Sequence, residues 1–171
     1  MGDVNRVALL WDLNTCPPLN SELPNLVTNV NATLAAVGCC LSNVRVIVGD
    51  NINQKFSIAE KTLLEGQGFT FVHTSERLPA CEYHNGNKPV LPAPQLVLET
   101  ELLKLSANHQ DPLRPRSILL ITGDYGFFRS MNNFRTRGYA IYLAEAEDTD
   151  PALRTTATRA WTWIRIQRGQ A

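Results

Sequence analysis

Two acids stand where apolar runs stop. Arg6 to Trp11 (RVALLW) ends in Asp12, and Ile118 to Ile121 leads through Thr122 and Gly123 to Asp124. A continuous apolar run of this kind reads as a strand buried on both faces. Both acids then fall at strand carboxyl ends, the edge where open parallel sheets bind their ligands. Two carboxylates brought together without basic partners repel and raise each other's pKa, a cost commonly offset by a hard cation such as Mg²⁺ or Mn²⁺. The simpler reading of Asp124 is a cap on the helix that follows it.

A third acid can join them. The segment Gln95 to Ala107 reads as a helix in which Glu101 stands among Leu96, Val97, Leu102, Leu103 and Leu105. An acid in so apolar a helix sits at the solvent edge of its buried face or looks into a site. Glu99 competes for the role, but it lies about 200° away on the helix, since each residue turns it by roughly 100°. Asp50, after Gly49, is a peripheral acid that reads as a turn residue. Cys81 and His84 have metal-ligand spacing as a pair, with no second pair to complete a site.

The elements that must position these residues alternate along the chain. After the first strand, Leu23 to Val37 carries apolar residues near helical spacing, with Pro24 in its first turn and Gly38 past its end. Cys40 to Val48 reads as a strand, Ile52 to Glu65 as one helix, and Phe69 to His73 as a short strand. The stretch 78–94, with Pro79, Pro89, Pro92 and Pro94, reads as a long loop. Ser117 to Ala144 is a βαβ unit closed by Gly138, and Pro151 starts a last helix reaching about residue 166. In that helix Trp161 falls on the apolar side as a core anchor and Trp163 on the opposite side; the alternation in WTWIRI leaves a terminal strand open for Trp161 to Ile166.

Three stretches carry a resemblance: WDLNTCPP at Trp11 to Pro18, LLITGDYGFFRSMNNFRTRGYAIYLA at Leu119 to Ala144, and ALRTTATRAWTWI at Ala152 to Ile164. In this order and spacing the chain resembles the NYN domains of the PIN-like nuclease superfamily, of the limkain (meiosis regulator and mRNA stability factor) type. The resemblance implies one α/β domain over 1–171 with a mainly parallel central sheet and helices on both faces. It also implies a metal-dependent endoribonuclease, a hydrolase acting in RNA turnover or regulation of gene expression. Its site would be Asp12, Asp124 and Glu101 around Mg²⁺ or Mn²⁺. The acidic set is incomplete against the family pattern: Asn14, Gln95 and Gly126 stand where the family carries further acids. Fewer carboxylates leave less charge to hold a divalent ion and to activate water.

Composition is permissive. With 171 residues and 44% hydrophobic content the chain suits one domain, and 16 basic against 16 acidic residues give no bulk charge that announces a nucleic acid. An RNA contact must come from a local patch. Arg129, Arg135 and Arg137 on the helix of the βαβ unit, with Arg154, Arg159, Arg165 and Arg168 after Pro151, make the C-terminal third the candidate basic face. Arginines beside an exposed Trp can bind single-stranded RNA through phosphate contact and base stacking. Four cysteines without paired metal spacing read as reduced thiols. No run approaches a membrane span, and the first ten residues lack a signal peptide's pattern, so an intracellular, cytoplasmic setting is expected. A peroxisomal association follows only from the family resemblance.

Three readings follow. The first is the metal-dependent endoribonuclease. The second is an inactive pseudonuclease that binds single-stranded RNA, a protein partner or a second copy of itself. The third, a nucleotide-binding α/β module, lacks a Gly-rich phosphate loop.

Overall fold

In the computed structural model, which describes residues 5–74, 94–107 and 114–171, β1 (Asn5–Asp12) is the central strand of one sheet. It pairs in parallel with β2 (Cys39–Gly49) on one side and β4 (Ser117–Ile121) on the other. β3 (Thr70–His73) lies outside β2, and β5 (Ala140–Glu145) and β6 (Arg159–Thr162) lie beyond β4. Among the described residues the order is β3-β2-β1-β4-β5-β6, and every pairing is parallel. The α/β class and the parallel sheet expected from the sequence are present.

Alternation along the strands feeds two cores, one per face. Val7, Leu9 and Trp11 of β1 pack with Leu26, Val30 and Leu34 of α1 (Leu26–Ala35), Leu64 of α3 (Ile58–Gly66), and Trp163 and Ile166 of α7 (Trp163–Gln167). Leu10 faces the other way. It joins Leu98 and Leu102 of α4 (Pro94–Ala107), Met131 and Phe134 of α5 (Phe128–Thr136), and Leu153 of α6 (Pro151–Arg154). Helices therefore cover both faces, which is why the β1 and β4 runs are apolar throughout.

Three expected elements differ. The helix read from Leu23 divides into a 3-10 turn at Asn20–Asn25 and α1, and Pro24 sits inside the turn. The helix read over Ile52 to Glu65 breaks after α2 (Ile52–Lys55): Phe56 is extended, at φ −128° and ψ 134°, and buried. Ser57 restarts the helix with a capping box, its side chain accepting from Glu60 N while Glu60 Oε2 accepts from Ser57 N at 2.7 Å.

The third difference is the largest. The C-terminal helix expected over 151–166 is a short α6, then β6, then α7. Arg159, Ala160, Trp161 and Thr162 alternate as a strand does, and the outer edge of β5 offers unpaired backbone groups. Thr158 N donates to Ile141 O at 2.7 Å where that pairing begins. The loop expected at 78–94, with Cys81 and His84, lies outside the described residues up to residue 93. No helix among the described residues is long and apolar enough to cross a membrane.

Candidate functional site

The strand order runs outward from β1 in one direction and from β4 in the other, so the connections leave these two neighbours toward opposite sides. This is the topological switch point of a doubly wound sheet, where a crevice opens at the carboxyl ends. Trp11 is in register with Ile121, which brings Asp12 beside Thr122. Asp12 is buried, at 2% exposure. Its Oδ2 accepts from Thr15 Oγ1 at 2.6 Å and Thr122 Oγ1 at 2.9 Å, and its Oδ1 accepts from Asn14 N at 3.1 Å. The same hydroxyls accept in turn: Thr15 Oγ1 from Gly123 N at 2.9 Å, and Thr122 Oγ1 from Asp124 N at 3.0 Å. Burial raises the Asp12 pKa; the three donors oppose the shift, and the charge of Asp124 adds to it.

The rest of the WDLNTCPP stretch holds this knot. Trp11 Nε1 donates to Cys16 O at 2.7 Å, Cys16 N donates to Asp12 O, and Leu13 N donates to Val48 O at the end of β2. The Cys16 thiol, buried beside Asp12, is pushed up to about 12 and is no nucleophile near neutral pH. Gly123 fits between the exit loops of β1 and β5. A Cβ there would come within 3.1 Å of Thr149 Oγ1, 3.2 Å of Ala146 Cβ and 3.6 Å of Thr15 Cβ.

The other expected acids separate. Asp124 caps the 3-10 turn Tyr125–Phe127, accepting from Gly126 N at 2.8 Å. Glu101 is paired with Lys104 at 2.6 Å on its own helix. Its competitor Glu99 accepts from the buried Ser130 Oγ of α5. Asn14 Oδ1 accepts from Asp50 N at 3.0 Å and Lys55 Nζ at 3.2 Å, so position 14 serves a network with Asp50 and Lys55. Gln95 lies in the first turn of α4. Among the described residues no group of three or more acids, histidines or cysteines is gathered as a metal site. Asp12 and Asp124 follow neighbouring strands at the carboxyl edge, and Glu101 is held by Lys104 on α4.

The arginines fall into separate groups. Arg129 is exposed near the start of α5, at the carboxyl edge, whereas Arg135 and Arg137 are at its other end. Arg135 donates to Thr156 O at 3.3 Å, and Arg137 lies over Phe134 at 5.6 Å. Arg137 also lines a pocket of about 240 Å³ with Arg114 and Arg116, just before β4 and β5 begin, at the amino edge. A second basic pocket, of about 420 Å³, lies along the edge strand β6 and is lined by Arg154, Arg159, Trp161 and Arg165. There the Arg159 guanidinium lies 5.4 Å above the Trp161 ring. The tryptophan roles are the reverse of the helical reading. Trp163 is buried, its ring 4.9 Å from that of Trp11, and Trp161 is half-buried on the edge. The expectation failed because it rested on a helix that is a strand up to Thr162.

Sequence reasoning missed Thr15 and Thr122 as partners of Asp12. A usable signal was present, since a Thr three residues after an acid and another at a strand end are placed for local side-chain bonds.

Among solved structures, the chain is similar to a protein of unknown function from Vibrio parahaemolyticus, at 12% identity and a TM-score of 0.64, with 95% of each chain covered. At that identity the likeness speaks for the fold alone. No protein-family model and no curated protein matches the chain.

Proposed function

We propose that this chain is an RNA-directed α/β module of the NYN kind its motifs resemble, one that holds single-stranded RNA without efficient hydrolysis. The observation that carries this reading is the state of Asp12. The acid at the switch point is buried and takes three hydrogen bonds, so it ties two strand ends together instead of facing a substrate. Binding itself is supported by the β6 edge, where Arg159 on Trp161 with Arg154 and Arg165 nearby joins phosphate-pairing charge to an aromatic face. The reading implies an intracellular, cytoplasmic role in RNA turnover or regulation of gene expression, with a protein partner or second copy supplying any chemistry.

One observation favours the second reading, a Mg²⁺- or Mn²⁺-dependent endoribonuclease: Asp124 acts electrostatically on Asp12, and Mg²⁺ can be bound through two carboxylates with water and substrate phosphate. End-labelled single-stranded RNA incubated with either metal separates the readings, using wild type, Asp12→Asn and Asp124→Asn. RNA retention without cutting by folded wild type is the expected result. Metal-dependent cutting abolished by both substitutions would replace the proposal with the endoribonuclease.

A further inference from the structure

We infer that the pocket at the amino edge of the sheet, lined by Arg114, Arg116 and Arg137, is an oxyanion site that takes a phosphate dianion, free or as the monoester of a small molecule. The inference does not rest on the RNA-directed reading. It accounts for arginines that the β6 edge leaves unused.

Two local features bring the arginines together. Arg116 directly precedes β4, and its carbonyl accepts from Ala140 N at 3.3 Å where β5 begins. Arg137 stands at the end of α5. There Gly138 N donates to Arg135 O and Tyr139 N to Phe134 O, with Gly138 at φ +85°, so the helix stops and the chain turns into β5. Ser117 is in register with Ala140, which sets the segments entering the two strands side by side. With Gly138 and Tyr139, the three arginines line a pocket of about 240 Å³.

The charge there exceeds what the fold needs. Helix carbonyl ends gather at the amino edge, and each carries about half a negative charge, which one arginine more than offsets. Arg137 does this for α5; Arg116 lies on no helix. Both side chains are exposed, and among the described residues neither has a carboxylate partner and no Asp or Glu lines the pocket. Setting aside Arg114, which has a further interaction of its own, two positive charges still meet at one opening. The Arg137 guanidinium is held 5.6 Å over the Phe134 ring, so less side-chain freedom is lost when it grips an anion.

The grouping of the charges selects the anion. A phosphodiester strand carries single charges in a row and suits a stripe of cations. Guanidiniums gathered on one pocket suit a compact ion with two charges, whose oxygens accept from their paired N–H groups. A phosphate monoester above its second pKa of about 6 is such an ion, whereas a carboxylate brings one charge.

Calorimetric titration of the full chain at constant ionic strength tests the inference, with inorganic phosphate, ribose 5-phosphate and the diester dimethyl phosphate as probes. Near pH 8 the first two are expected to bind and the diester not to. Near pH 5 phosphate takes up a proton while the arginines stay charged, so the affinity should fall. Arg116→Gln and Arg137→Gln should each weaken phosphate binding about tenfold or more, the value of one charge-assisted hydrogen bond, and Arg159→Gln at the other basic pocket should leave it unchanged. Coincident melting curves check that the variants are folded. Tighter binding of ribose 5-phosphate than of inorganic phosphate marks an organic monoester as the occupant, and the opposite or equal order marks the free ion; either supports the site. No binding at millimolar phosphate, equal binding of the diester, an affinity that ignores pH, or undiminished binding in either folded amino-edge variant overturns it. Loss of phosphate binding in Arg159→Gln would place the ion at the β6 edge and overturn it as well.

Discussion

Thr122 Oγ1 donates to Asp12 Oδ2 across 2.9 Å, and this one bond joins the carboxyl end of β4 to that of β1. Because Thr122 Oγ1 also accepts from Asp124 N, Thr122→Val leaves a buried carboxylate short of a donor and a backbone N–H short of an acceptor. The expected loss is about 1–3 kcal/mol of unfolding free energy. The sign with pH follows from Asp12. Its folded pKa is raised above 3.8, so its favourable contribution is complete below that value and is lost as pH rises through the raised pKa. Removing a donor to the charged form raises the folded pKa further. Urea unfolding should therefore show a larger Thr122→Val penalty near pH 7 than near pH 4; an equal penalty at both would mean that the hydroxyl does not support the ionised carboxylate.

Glu99 and Glu101 make a matched pair on α4. Glu99→Ala strips the acceptor from Ser130, which is 4% exposed, and should cost about 1–2 kcal/mol. Glu101→Ala loses a pair with a Lys104 side chain that is 66% exposed, and should cost less than about 1 kcal/mol. Thermal melts of the two variants, with RNA binding measured alongside, check both; Glu101→Ala should bind RNA as wild type does. Loss of a metal-dependent cleavage in Glu101→Ala alone would return that residue to a catalytic site.

The strands were readable because β1 and β4 are buried on both faces, so their residues are apolar without interruption and their ends are marked by Asp12 and by Thr122-Gly123. Asp12 and Asp124, the acids expected to converge, follow neighbouring strands, but the side chain that bonds Asp12 across that edge is Thr122. What escaped was set by partners distant in sequence. Glu101 satisfied the spacing for a site residue, yet Lys104 three positions on took its charge. The segment from Pro151 had helical spacing, but Thr158 to Thr162 gained more from the open edge of β5 than from continuing a helix, and that gain depends on partners seventeen residues away.

That reversal at the C-terminus predicts opposite behaviour for two tryptophans two residues apart. Trp163 packs against Trp11 with both rings buried, so Trp163→Ala should cost about 3–5 kcal/mol. Trp161 shares its faces with Tyr142 and Arg159 on the edge, so Trp161→Ala should cost roughly a third of that or less, by the smaller area it removes from water. Denaturant midpoints at unchanged m-value decide the matter. A larger loss at Trp161 would restore the helical reading of this segment.

The two basic pockets can be told apart by salt. Arg159 lies on Trp161 at the β6 edge, whereas Arg137 is grouped with Arg114 and Arg116 at the amino edge, beyond the opposite ends of the strands. Each phosphate neutralised on a single strand contributes roughly 0.7 to the slope of log affinity against log salt. If RNA runs along the β6 edge, Arg159→Gln should weaken oligonucleotide binding at every sequence and lower that slope by about 0.7, while Arg137→Gln leaves both unchanged. Anisotropy titrations over a series of salt concentrations give the slope directly. A slope that falls with Arg137→Gln and not with Arg159→Gln would move the RNA to the amino edge, away from Asp12 and from the β6 edge together.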